Sequence, residues 1–161
     1  MTPTELLNAL TPLAARLASY ISTGAQYEVT AQAEMALQIL AHFNVMGREI
    51  PYPGSQKTCD LAYVHQGEQY WVELKVESAH HAGTYAGKPS MDAAIMSDIT
   101  KLRTLAPAGS KRWMIVVAYS VEGRARLDWL NMTYGLTCMW KGDHVSIAIF
   151  DAMGNDTTWI P

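Results

Sequence analysis

Asp60, Glu73 and Lys75 lie close together in the stretch CDLAYVHQGEQYWVELKVES, Cys59 to Ser78, among residues that otherwise suit burial. Two carboxylates and an ammonium are the parts needed for metal-assisted phosphodiester hydrolysis. Hard oxygen ligands suit Mg2+, which keeps several waters and is commonly held by one or two carboxylates plus a substrate phosphate. A lysine beside the ion can orient or activate a water, or stabilise negative charge developing on the phosphate.

Those side chains meet only if the stretch folds as a hairpin. Cys59–Val64 and Gln69–Glu77 have the composition of two strands joined at HQGEQ. Side chains alternate along a strand, so Trp71, Glu73, Lys75 and Glu77 share one face and Tyr70, Val72, Leu74 and Val76 the other. If the turn closes on Gln66-Gly67, His65 faces Glu68 and, counting back in step, Asp60 faces Glu73. Closure on Gly67-Glu68 instead sets Asp60 opposite Lys75 with Glu73 diagonal, on the same face. Opposed residues have Cβ atoms ~5 Å apart, and like charges there destabilise unless neutralised. A divalent cation would neutralise them. The competing reading is an exposed hairpin whose outer charges form ordinary solvated pairs worth under ~1 kcal/mol.

The rest of the chain predicts the support for this hairpin. Thr4–Ile21 has the spacing of a peripheral amphipathic helix, and a second helix over about Gln26–Phe43 is apolar on most sides. VMGREIPYPGS reads as a turn. After the loop SAHHAGTYAGKPS, Ser90 is placed to cap a helix over about Met91–Leu105. RWMIVVAYS predicts a strand covered on both faces, ARLDWLNMTYG a short helix ended by Gly135, and HVSIAIFD a last strand. The alternation predicts an α/β fold, with a mixed central sheet flanked by helices.

Asp60, twelve intervening residues and then Glu73-Leu74-Lys75 resemble the active-site signature of the PD-(D/E)xK nuclease superfamily, the restriction-endonuclease-like fold. The resemblance spans roughly Tyr27 to Tyr119. It implies an α-β-β-β-α-β core, here with an extra N-terminal helix, that carries the aspartate on one strand and the E-x-K on the next. It also implies Asp60 and Glu73 as metal ligands for Mg2+ or Mn2+ and Lys75 as the catalytic lysine. Cys59 stands where the family often has proline. Members often add a glutamate from the preceding helix, and Glu34, in AEMALQILAHFNV, is the choice for that catalytic and metal-binding position, with Glu28 its rival. Glu34, Gln38 and His42 also fit a water-facing stripe. Asp98 and Lys101 in SDITKLRTL resemble a D-x-x-K-L pattern of the following helix, or equally an exposed i, i+3 pair. Glu77 either extends the acidic face or is simply exposed.

Composition bounds these readings. A chain of 161 residues, 49% hydrophobic and 17% charged, predicts one globular domain, residues 1–161 with its core at about 26–150. A net charge of -3 gives no global attraction to nucleic acid, so any basic surface is local. Lys111-Arg112, Arg124-x-Arg126, Tyr85 and Lys88 are candidates for phosphate contacts, with plain surface or structural roles as the alternative. Trp71 stacks on a base or packs in the core. His80-His81 lack partner ligands at metal spacing. Cys59 and Cys138 are too few for a disulfide framework, which suits a reducing, cytoplasmic compartment. The N-terminal stretch predicts no secretory leader, and no apolar run reaches the ~18 residues that span a bilayer. The expected activity is hydrolysis of nucleic acid, DNA first, by a chain able to act as a homodimer. The rival from another class is a non-catalytic interaction module, such as a phage or mobile-element accessory protein, that keeps the fold.

Overall fold

Gln66 and Gly67 both adopt positive φ, 52° and 81°, the backbone of a two-residue type I′ turn whose twist matches that of the flanking strands. This turn joins β2 (Thr58–His65) to β3 (Glu68–Val76). It sets His65 opposite Glu68, and the antiparallel register runs without a slip to Leu61 opposite Val72. Of the two closures the sequence allows, the chain uses Gln66-Gly67.

The structure is a computed structural model and describes residues 1–22, 27–41, 44–77, 90–134 and 138–154. In it the hairpin belongs to a six-stranded mixed sheet of order β1-β2-β3-β4-β6-β5. The remaining strands are β1 (Asn44–Pro51), β4 (Lys111–Ala118), β5 (Cys138–Lys141) and β6 (Ser146–Asp151). β3 and β4 run parallel and every other neighbouring pair is antiparallel. Between β3 and β4 the chain crosses over through α4 (Met91–Leu105), and α5 (Val121–Tyr134) follows β4. The protein is therefore α/β, with helices on both faces of the sheet.

One face packs Leu61, Tyr63, Val72, Leu74, Ile115 and Ile147 against the N-terminal helices and α3 (Tyr27–Leu40). The other packs Ala62, Trp71, Met114, Val116 and Phe150 against α4 and α5. β4 is buried on both sides from Arg112 to Ala118, as its continuous apolar run requires. Ser90 caps α4 as expected, its Oγ accepting the Ala93 N–H at 3.3 Å.

Two elements differ from the sequence reading. The N-terminal helix is broken into α1 (Pro3–Leu10) and α2 (Ala14–Ser22) by a 3-10 turn over Thr11–Leu13. Pro12 has no N–H to give to the Asn8 carbonyl, and the Thr11 hydroxyl takes that acceptor at 3.1 Å instead. Asn44–Pro51, expected as a turn, is strand β1 paired to β2 through a bulge between Val45 and Gly47. Gly47 suits the bulge because its φ of 157° is one that L side chains rarely adopt. Among the described residues no helix is long and apolar enough to cross a membrane.

Arg112 fixes where α4 ends. Expected as part of a surface basic cluster, it is buried, and its guanidinium donates to the carbonyls of Arg103 at 2.7 Å, Ala106 at 3.0 Å and Pro107 at 2.9 Å. These charge-assisted bonds satisfy the open C-terminal turn of α4 and bind it to β4. Arg112→Met leaves those acceptors without their donors and should cost about 2–4 kcal/mol. A urea midpoint lowered by that amount, with the slope unchanged, is the expected result.

Candidate active site

Glu73 points from β3 into the α4 side of the sheet, and burial leaves it 1% exposed. A buried carboxylate needs partners. Tyr52 donates its hydroxyl to Glu73 Oε1 at 2.6 Å, and Lys101 Nζ from α4 lies 3.1 Å from the same oxygen. Burial, and then the charge of neighbouring Asp60, pushes the Glu73 carboxyl up to about 8, against the opposing pull of Tyr52 and Lys101. Tyr52 is itself stacked on Trp71, with centroids 5.3 Å apart. Burial raises its hydroxyl far above the ordinary range, so it stays a donor. Trp71 is accordingly a core residue that backs Tyr52 rather than a surface for a base.

Asp60 reaches the same place by a different route. The β2–β3 ladder ends at Leu61–Val72, and one residue beyond it Asp60 Oδ2 accepts the Leu74 N–H at 2.7 Å. A side chain has replaced the backbone acceptor where the two strands part. The carboxyl of Asp60 lies close enough to Glu73 for its charge to be felt there. Burial raises Asp60, and the Leu74 N–H opposes that rise. Cys59, next to it, donates its thiol to the carbonyls of Val72 at 3.1 Å and Leu61 at 3.3 Å, and burial pushes that thiol up to about 12. It is a buried structural thiol.

Lys75 and the α4 pair complete the cluster. Lys75 Nζ lies 3.3 Å from Asp98 Oδ2, and Lys101 Nζ lies 2.8 Å from Asp98 Oδ1. Asp98 is 7% exposed, so the i, i+3 pair is turned against the sheet and not toward water. Burial opposes the charge on Lys101, but the bonds to Asp98 and the attraction of Glu73 outweigh it and raise its pKa. Ion pairs therefore run continuously from Glu73 through Lys101 and Asp98 to Lys75, with Asp60 beside them. The D-x-x-K-L spacing marked Asp98 and Lys101; only packing reveals that they bridge Glu73 and Lys75.

Glu34 is not brought to this cluster. From α3 it faces α2, accepting from Tyr20 Oη at 2.9 Å and pairing with Arg16, and these bonds hold its carboxyl below the usual range. The polar α3 side chain that shares a cavity with Asp60 is Gln32, whose Oε1 accepts from Arg48 at 3.4 Å. Together with Met35, Ile39 and Leu74 it lines a cavity of about 10 Å3 beside the aspartate, room for about one water. The sequence reading missed Gln32, since a lone glutamine carries no catalytic signal. The Glu28 side chain, His80, His81, Tyr85, Lys88 and Gly135 lie outside the described residues.

Glu77 is neither exposed nor part of the acidic pair. Its Oε2 accepts the N–H groups of Tyr119 at 2.8 Å and Ser120 at 2.9 Å, and Oε1 accepts the Ser120 hydroxyl. A carboxylate at the start of α5 also suits the helix dipole. The arginine cluster on α5 is committed as well. Arg126 pairs with Asp92 and covers the Trp129 ring at 3.8 Å, while Arg124 donates to the Asp143 carbonyl at 2.9 Å.

Among the described residues no group of three or more His, Cys, Asp or Glu side chains converges as a metal cage. Asp60 and Glu73 nonetheless fit a hard divalent ion by the chemistry of the donor set. They are neighbouring oxygen donors on adjacent strands, with the Lys101 ammonium 3.1 Å from Glu73 Oε1. Compared with known sequence families, curated proteins and solved structures, the chain matches none.

A carboxyl that binds its proton more tightly when folded loses stability for the fold as pH rises from its ordinary value of 4.5 to its folded value of about 8. Stability should therefore fall across about pH 5–8, by at most ~1.4 kcal/mol per pH unit, and level off above. Glu73→Gln should flatten that slope in urea titrations run at each pH. Equal slopes in the two proteins would contradict the assignment.

Proposed function

We propose that the protein is a divalent-metal-dependent nuclease of the PD-(D/E)xK kind, hydrolysing phosphodiester bonds with DNA as its first substrate. The observation that carries this reading is the meeting of Asp60 and Glu73 where β2 leaves β3, with Lys75 one pleat further along. The element order supports it. From α3 through β1, β2, β3 and α4 to β4 the chain runs α-β-β-β-α-β, the core the resemblance implies, with the aspartate on one strand and E-x-K on the next.

Asp60 and Glu73 would hold Mg2+ or Mn2+. When bound, the ion supplies positive charge against which a phosphate can be placed and a water made more acidic. Tyr52 keeps Glu73 in one orientation by donating to Oε1, and the Leu74 N–H does the same for Asp60. Lys75 orients the attacking water and stabilises charge on the phosphate oxygens. The Tyr52–Trp71 stack is buried beside Glu73, and the low dielectric there strengthens each of these interactions. Glu34 has no part in this mechanism. A lone domain of this size that cuts both strands of a duplex would act as a homodimer.

A non-catalytic module is the second reading, and one observation favours it: each carboxylate of the cluster already has a partner within the protein, as a purely structural fastening of α4 would require. Activity separates the two. Purified protein incubated with duplex, single-stranded and branched DNA and with RNA should cleave at least one of them in Mg2+ or Mn2+ and none in EDTA. Lys75→Ala and Glu73→Ala should each lower the rate by about 100-fold or more. Absence of divalent-dependent cleavage of every substrate, or alanine variants as active as the parent, would overturn the nuclease reading.

A further inference from the structure

Lys101 is the cation that bridges the buried acids of this cluster. Its Nζ is 3.1 Å from Glu73 Oε1 and 2.8 Å from Asp98 Oδ1, so oxygens from two separate elements converge on a cation supplied by the protein itself. Glu73 Oε1 already receives both Tyr52 and Lys101, and the charge of Asp60 acts on the same carboxyl. With every carboxyl ionised, Asp60, Glu73 and Asp98 outnumber Lys75 and Lys101 by one charge. A divalent ion added without any rearrangement would reverse that sign and set a second positive centre against the Lys101 ammonium.

The helix permits a rearrangement. Ile99 and Leu102 on either side of Lys101 are buried and anchor α4, while the lysine side chain is 22% exposed. Its four-carbon stem can turn toward water without moving the helix.

We propose that Lys101 is a built-in counter-cation of the acidic cluster, which a divalent ion displaces from Glu73 as it binds. The inference rests on the reading of Asp60 and Glu73 as metal ligands, and it adds an exchange step. The cluster is never left as bare opposed carboxylates, and Lys101 is released when the ion arrives. Lys101 thereby sets the affinity of the site, because the ion must compete with it.

The test uses the whole chain and Mg2+ alone. The side-chain ammonium resonance of Lys101 is assigned in 15N-labelled protein by its loss in Lys101→Arg, and it is followed during a Mg2+ titration. Binding is measured in parallel by calorimetry. The Lys101 signal should shift or broaden with the same midpoint as the heat of binding. Lys101→Met should bind Mg2+ about tenfold tighter, the scale expected for removing one competing charge from a partly buried site. Saturation with Mg2+ while the Lys101 resonance stays unchanged would overturn the exchange and leave the carboxylate site standing. Failure of both parent and Lys101→Met to bind Mg2+ would remove the site and the exchange together. The resonance titration on the parent protein decides the matter even if Lys101→Met folds poorly.

Discussion

Glu73 imposes the constraint around which the rest of the site is arranged. A carboxylate 1% exposed in the middle of a sheet strand must be supplied with donors or protons, because burying an unpaired charge costs more than a small domain can spare. Tyr52 is drawn down from the β1–β2 connection to supply a hydroxyl. Lys101 is drawn in from α4 to supply a charge. Asp98 then has to balance Lys101, and Lys75 balances Asp98. One buried acid on β3 thus organises residues from the β1–β2 connection, the sheet and the helix beyond it.

The frame around that acid is held by buried polar groups with simpler tasks. Arg112 closes the C-terminal end of α4, and Glu77 closes the N-terminal end of α5, where a Cβ on Gly123 would meet its carboxylate at 2.3 Å. α4 is therefore pinned near its last turn, within reach of Lys101, while Lys101 itself is only partly covered. A rigid helix carrying a movable lysine is the mechanical requirement of an exchangeable counter-cation. Asp60 contributes differently: by accepting the Leu74 N–H it lets two strands separate without leaving a buried donor unmet, and the gap so made is where the carboxyls meet.

The hairpin was legible because alternation and a two-residue turn leave two registers open, and the ladder from His65–Glu68 to Leu61–Val72 is the one that closes on Gln66-Gly67. α4 was legible down to its Ser90 cap, since capping and periodicity are local signals. β1 was not, because its bulge at Gly47 and its proline at position 51 imitate a turn, and its pairing with β2 is a tertiary fact. Glu34 was misplaced for a related reason. α3 is apolar on most sides, so spacing alone cannot say which polar residue faces the sheet, and Arg16 and Tyr20 on α2 decide it. Glu77 and Arg112 looked like surface charges because their partners are backbone groups, which carry no mark in a sequence.

The central claim is that Asp60 and Glu73 form a divalent-cation site guarded by Lys101. It is tested most directly by a crystal structure of the protein soaked in Mn2+, with anomalous diffraction recorded for the ion. The account predicts one anomalous peak bonded to both carboxylates, with the Lys101 ammonium withdrawn from Glu73. Contradiction would be a map with no peak between the two carboxylates and Lys101 still bridging Glu73 and Asp98.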